Sequence, residues 1–224
     1  NLSMGHATKD MSDISVESVM QLAEENMYKR KLLERKSMHS SLLSSIQSTM
    51  LARSQETEEH AERLIKLTRI LGMKLNLAQI ELNELELLAA LHDIGKVGVN
   101  DQILNKPDRL TDEEWIEMKK HSEIGYRIAM SSPELMPIAD YILAHHERWD
   151  GQGYPQRLAG EKIPFVSRVL SVVDAYDAMT QDRSYRKALP KSYAISEIKN
   201  NAGKQFDPEV AEAFLQLIDE FMEE

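Results

Sequence analysis

Tyr141-Ile142-Leu143-Ala144-His145-His146-Glu147-Arg148-Trp149-Asp150 runs directly into Gly151-Gln152-Gly153-Tyr154-Pro155. An apolar run with helical character carries two adjacent histidines to its end and then breaks into a glycine-rich loop. Neighbouring residues on an α-helix point about 100° apart. The pair therefore suits two positions around a metal centre better than one packed core. Other histidines and carboxylates recur along the chain near the ends of predicted helices, which is the pattern of a site assembled by folding.

Bulk properties narrow the chemistry. With 224 residues, 42% of them hydrophobic and 29% charged, the chain can hold one good-sized core. A formal net charge of −10 argues against binding a nucleic-acid polymer, which needs a basic face. It leaves a small anionic ligand open, because metal ions and a few cations can invert the field inside a cleft. The absence of cysteine excludes disulfides, thiolate zinc sites and a thiol nucleophile. Histidine, carboxylate and water oxygen remain as metal ligands. No stretch approaches the roughly 20 apolar residues that span a bilayer. The expectation is a cytoplasmic segment without membrane contact, cut from a longer protein because it starts at Asn1.

Outward from the histidine pair, each candidate ligand has a helical context. Residues 54–72 read as a charged helix with Glu56 and His60 four apart, on one face. A helix from Glu84 to Leu91 ends in His92-Asp93-Ile94-Gly95-Lys96; burying both His92 and Asp93 is costly unless they are paired or ligate a metal. Thr111-Asp112-Glu113-Glu114 is a capping box, expected to open the helix that carries His121. Pro133 and Pro137 lead into a helix over 138–146. After the glycine loop, an apolar helix from Phe165 to Met179 embeds Asp174 and Asp177, and Asp174 among small apolar residues calls for a cation. Further helices start at Ser192 and at Pro208, with Asp207 as N-cap. Upstream, Asn1–His6 reads as a short strand. A helix follows with Val19, Leu22, Ala23 and Met27 on one stripe, then a connector with Met38, Leu42, Ile46 and Met50 every fourth residue.

Five of the seven histidines fall in the set Glu56, His60, His92, Asp93, His121, His145, His146 and Asp174; His6 and His39 read as surface residues. Ligands without sulfur suit iron or manganese, with zinc open. A catalytic metal keeps a water position and seldom takes more than four protein ligands. Seven or eight candidates therefore imply at least two ions, and Asp93 is suited to bridge them.

This ordered set, with Gly153-Tyr154-Pro155, Asp182-Arg183-Ser184-Tyr185-Arg186 and Gly203-Lys204-Gln205-Phe206-Asp207-Pro208, resembles the HD-GYP family, a branch of the HD phosphohydrolases, over about residues 54–220. The resemblance implies an all-α HD-domain helical bundle with additional C-terminal helices, preceded here by the short strand and connector helices. It implies hydrolysis of cyclic di-GMP to pGpG or onward to GMP. By position, His60, His92, Asp93 and Asp174 match the general HD metal set, His121, His145 and His146 the additions for a second ion, and Glu56 a residue that supports a third in some members. Asn100 and Asp108 stand where proline and glycine are common, and Ser184 replaces a frequent proline; no ligand is lost.

Two divalent ions roughly 3.5–4 Å apart can lower the pKa of a bridging water, hold a phosphate oxygen and stabilise the leaving alkoxide. On this expectation a metal-bridging hydroxide attacks, with Asp93 and Lys96 as the catalytic groups. Lys96, Tyr154, Arg183 and Lys187 are the substrate-binding candidates, Arg183 for its planar fork. The competing readings are a noncatalytic cyclic di-GMP receptor or docking module, and an HD hydrolase of another cyclic dinucleotide. The complete ligand set favours an enzyme.

Residues 1–35 resemble the last strand and helix of a GGDEF, or diguanylate cyclase, domain, through Leu2-Ser3-Met4-Gly5-His6-Ala7 and Ala23-Glu24-Glu25-Asn26-Met27-Tyr28-Lys29-Arg30-Lys31. The GGDEF signature is not in this chain, and no cyclase activity is carried over. The expected organisation is a GGDEF-like remnant (1–35), a connector helix (36–53) and an HD-GYP domain (54–224). The connector helices are expected to support a homodimer and to transmit a signal from an upstream sensor region.

Overall fold

A computed structural model describes residues 57–182 and 187–223, together with Met20, Ser45 and Ser48. The expected N-terminal strand and helices, Glu56 and Arg183 lie outside the described residues. Residues from 57 onward belong to one compact unit, Gln47–Glu224. Among the described residues the structure is helical and contains no strand.

The scaffold begins with α1 (Glu58–Lys74), packed against α2 (Gln79–Leu91) and α7 (Phe165–Thr180). Thr57 caps α1, its hydroxyl accepting from the His60 N–H at 3.2 Å, and Glu58 and Glu59 sit in the first turn, where the helix dipole favours acids. Buried His60, Ala61, Leu64, Thr68, Leu71 and Gly72 form one stripe. Helix α2 starts earlier than its apolar run suggests. Glu81 reaches back to the Ala78 N–H at 2.8 Å and closes the first turn without a polar N-cap side chain.

A 3-10 turn, Ile94–Gly98, follows the His92-Asp93 pair. Short α3 (Asp101–Leu104) and α4 (Asp112–Lys119) then lead to α5 (His121–Met130). The Thr111–Glu114 capping box is present, but it opens α4, so His121 starts a helix of its own. The reason is local: the Lys120 N–H closes tightly on Glu117 and Met118 carbonyls and ends α4 one residue before His121. A 3-10 turn (Met136–Ile138) precedes α6 (Ala139–Ala144), which is shorter than the expected 138–146 and leaves both histidines just past its end.

Helix α7 is the central element. Val166, Val169, Leu170, Val172 and Val173 are buried, and the helix contacts α1, α2, α6, α8 (Lys191–Asn201) and α9 (Pro208–Glu223). A helix apolar on most sides belongs in the middle of a bundle. Asp207 caps α9 as expected, accepting from the Glu209 N–H at 2.8 Å, and also forms a close ion pair with Arg168 of α7.

Candidate metal centre

The polar residues of the interior converge where α1, α2, α5, α6 and α7 meet. Two clusters can each direct one ligand atom per residue to a common point: Asp93, His121, His145 and His146; and His60, His92 and Asp174. All seven were candidates from sequence. His92, Asp93, His121 and His145 are almost fully buried.

Proton placement explains what these groups can bind. His92 Nδ1 lies 3.2 Å from Ala89 O, His121 Nδ1 2.8 Å from Met118 O and His145 Nδ1 2.6 Å from Ile142 O. A carbonyl only accepts, so each neutral ring carries its proton on Nδ1 and presents a lone pair at Nε2. Those Nε2 atoms face the Asp93 carboxylate: His92 at 3.1 Å from Oδ2, His121 at 3.3 Å and His145 at 4.0 Å from Oδ1. His121 and His145 Nε2 are 3.3 Å apart with no proton between them. Among the described residues, Asp93 Oδ1 is the buried side-chain polar atom without a hydrogen-bond partner. Lone pairs facing lone pairs in a buried space repel, and a cation removes the repulsion. The donor set of imidazole and carboxylate fits a divalent transition metal.

The pKa directions agree with this arrangement. Burial, reinforced by the neighbouring rings, holds His145 well below the usual imidazole range and lowers His121. Burial likewise lowers His146 to about 3. Burial alone would raise Asp93, but the neighbouring positive charge, Lys96 foremost, outweighs it and holds the carboxyl well below its ordinary range. Lys96 Nζ lies 2.7 Å from Asp93 Oδ2. The site is thus tuned to neutral imidazoles around an ionised carboxylate, the protonation state that metals require.

In the second cluster His92 is held by a backbone carbonyl like the rings of the first, but His60 is oriented differently. His60 Nδ1 donates to Asp177 Oδ2 at 2.7 Å, leaving Nε2 3.8 Å from Asp174 Oδ1. Arg63 grips the same carboxylate, Nε to Oδ1 at 2.6 Å and Nη2 to Oδ2 at 3.0 Å. Burial opposes ionisation of Asp177, and the hydrogen bonds from His60 and Arg63 overcome it. A carboxylate behind a histidine fixes its tautomer and ring orientation. No role was read for Asp177 or Arg63 from sequence. Their signal was helical spacing: Asp177 is three residues from Asp174, and Arg63 three from His60.

Two close approaches hold the site together. A Cβ on Gly95 would lie 1.8 Å from His121 O and 2.5 Å from Gly125 N, so only glycine lets the turn after Asp93 touch α5. A Cβ on Gly153 would lie 2.4 Å from Arg148 N, so only glycine folds the loop back over residues 147–148. Buried Glu147, another role sequence reading missed, fastens that loop. Its carboxylate accepts from Gln156 N at 2.7 Å and Leu158 N at 3.0 Å, and burial raises its pKa. The Tyr154 ring consequently lies 4.9 Å from His146 and 6.4 Å from His121, centroid to centroid. Lys187 is placed in solvent, its side chain 92% exposed and paired with Asp182 at 3.3 Å.

A centre of imidazoles and carboxylates converging inside a helical bundle is suited to hold divalent ions, and the comparisons show the family to which such a chain belongs. The HD domain family model matches residues 43–210. The chain belongs to the HD domain family. It is 42% identical over 167 residues to the cyclic di-GMP phosphodiesterase of Thermotoga maritima, covering 74% of this chain and 45% of that protein. It is 37% identical over 183 residues to the 3'3'-cGAMP-specific phosphodiesterase 2 of Vibrio cholerae, covering 81% and 35%. The chain thus spans less than half the length of these relatives. Among solved structures it resembles a cyclic GMP-AMP-specific phosphodiesterase of V. cholerae, with TM-score 0.60, 23% identity, and 80% and 48% of the two chains covered. It also resembles Bd1817, an HDG"Y"P protein from Bdellovibrio bacteriovorus, with TM-score 0.59, 16% identity, and 94% and 75% covered. These two support the fold.

Proposed function

We propose that residues 54–224 form a metal-dependent phosphodiesterase domain that hydrolyses cyclic di-GMP to pGpG or onward to GMP. One observation carries the metal-dependent part: the unpartnered, buried Asp93 Oδ1 faced by His121 and His145 Nε2. The relatives' activities support the substrate class. Asp93, His121, His145 and His146 would hold one divalent ion and His60, His92 and Asp174 another, with Asp93 between them; Glu56 would support a third. Iron or manganese suits these ligands best. Such ions supply Lewis acidity and lower the pKa of bound water.

The protein's own groups do the rest. The three Nδ1–H···O=C bonds keep imidazole lone pairs turned inward. Lys96, beside Asp93, carries the positive charge nearest a phosphate held there. Tyr154 walls the site against solvent. Arg183 is assigned to substrate and Lys187 to its outer rim. Residues 1–35 and 36–53 are proposed as a GGDEF-like remnant and a connector that dimerises and links to an upstream sensor region in a cytoplasmic setting. A cyclic GMP-AMP substrate is the second reading, favoured by the relative at 37% identity.

The test is anaerobic turnover of cyclic di-GMP and cyclic GMP-AMP after loading with iron or manganese, with metal counted by elemental analysis. Turnover with at least two ions per chain is expected. Bound metal and bound nucleotide without turnover would point to a receptor instead, and neither binding nor turnover would overturn the substrate assignment.

A further inference from the structure

A cleft of about 610 Å³ opens beside the metal centre, between the end of α4, the start of α5 and the glycine loop. That size is ordinary for a small-molecule site. Its lining includes Ile116, Lys119, Lys120, Glu123, Tyr154 and Arg157. Tyr154 is shared, because its ring also lies against His146. The cleft therefore adjoins the histidine cluster across the Tyr154 ring.

The charge of the cleft runs against that of the molecule. A chain of net charge −10 presents here three cations against one carboxylate. Lys120 is answered by Glu117. Lys119 and Arg157 form no ion pair among the described residues. Lys119 Nζ instead lies 5.6 Å from the Tyr154 ring centroid and 5.9 Å from that of Trp115. Two aromatic faces hold the ammonium at the cleft without neutralising it. Arg157 sits in the left-handed region at φ 57, which favours glycine, between Gln156 and Leu158, whose N–H groups bond to the Glu147 carboxylate. Backbone held in so sparsely used a conformation, at the lip of a cleft, is a common mark of a binding loop.

A cyclic dinucleotide carries two phosphodiester charges. When one is at the metal centre, the other needs cations of its own. We infer that this cleft receives the half of the cyclic dinucleotide remote from the bond being cut, with Lys119 and Arg157 binding its phosphate. Arg157 offers a planar fork and Lys119 a point charge. Glu123 bounds the anion's position on the α5 side. This assignment rests on the proposed cyclic dinucleotide activity.

The test compares Lys119→Ala, Lys119→Arg and Arg157→Asn with the wild type; asparagine tolerates the left-handed backbone while removing the charge. Kinetics use cyclic di-GMP and bis(p-nitrophenyl) phosphate, a diester with a single phosphate. Calorimetry uses a nonhydrolysable phosphorothioate analogue of cyclic di-GMP, and elemental analysis checks the metal. Each charge removal is expected to raise KM and weaken analogue binding about tenfold, the scale of one charge-assisted hydrogen bond. Saturated kcat should stay within about twofold, the loss on the single-phosphate ester should be at least about fivefold smaller, and Lys119→Arg should restore binding. Equal losses on both substrates, or unchanged KM and affinity, would overturn the cleft assignment and leave the activity standing. A wild type that cleaves bis(p-nitrophenyl) phosphate but neither binds nor cleaves cyclic dinucleotides would overturn the substrate reading and the cleft assignment with it.

Discussion

The two ligand clusters lie side by side but solve the orientation problem differently. Around Asp93, the backbone holds the rings: His121 and His145 donate to carbonyls three residues earlier, and burial keeps them neutral. Around His60, side chains do the work: Asp177 orients the ring, and Arg63 holds Asp177. The backbone device is rigid and tolerates little movement of α5. The side-chain device is adjustable and depends on a charge. The first cluster should therefore respond to steric and pH changes, the second to charge changes one residue removed from the ligands.

Asp93 is a member of the first cluster and lies 3.1 Å from His92 of the second, so Asp93→Asn should have the largest effect. Loss of at least about a hundredfold in turnover is expected, with both ions depleted, because an amide cannot replace a carboxylate facing two ligand sets. Retention of two ions per chain would remove Asp93 from its position between the clusters.

Gly95→Ala separates the clusters sterically. The new methyl would meet backbone atoms of His121 and Gly125, which cannot swing away. Destabilisation on the order of 3 kcal/mol is expected, or a melting temperature lower by roughly 10 °C. The metal that survives should be the one at His60. Calorimetry with metal counting would show this, and an unperturbed first ion would mean that α5 adapts more readily than the close approach implies.

Asp177→Asn is the converse. It leaves every ligand in place and removes the charge behind His60. Metal affinity at that cluster should fall about 10- to 100-fold, while the ion at His121, His145 and His146 stays. Titration with a competing chelator would resolve the two sites. Equal weakening of both would erase the contrast between the clusters.

The smallest effect is on pH. In the metal-free protein the folded pKa of His146 is depressed to about 3 from an ordinary 6.5, and His145 and His121 are depressed with it. Below about pH 6.5 the unfolded chain takes up protons that the folded chain refuses, so stability must fall as pH falls toward the folded values. His146 alone should remove on the order of 1–2 kcal/mol by pH 5. A melting temperature of the metal-free protein that stays flat from pH 7 to pH 5 would show that these rings are solvated.

Much of this molecule was legible in its sequence because periodicity and capping are local. Thr111 to Glu114, Asp207-Pro208 and the apolar run of α7 announce their helices within a few residues. Seven ligand candidates were recognisable because buried histidines and acids need a reason to be there. What required the tertiary structure is everything that depends on meeting across the chain. Asp177 looked like any helical acid until α1 and α7 brought it to His60 over a separation of 117 residues. Glu147 read as part of a motif until the loop closed on it, and no local pattern marked Lys119 before Tyr154 folded against it. The partition of the ligands into two clusters, with Asp93 facing both, likewise belongs to folding: spacing along the chain tells which faces exist, and only packing decides which faces meet.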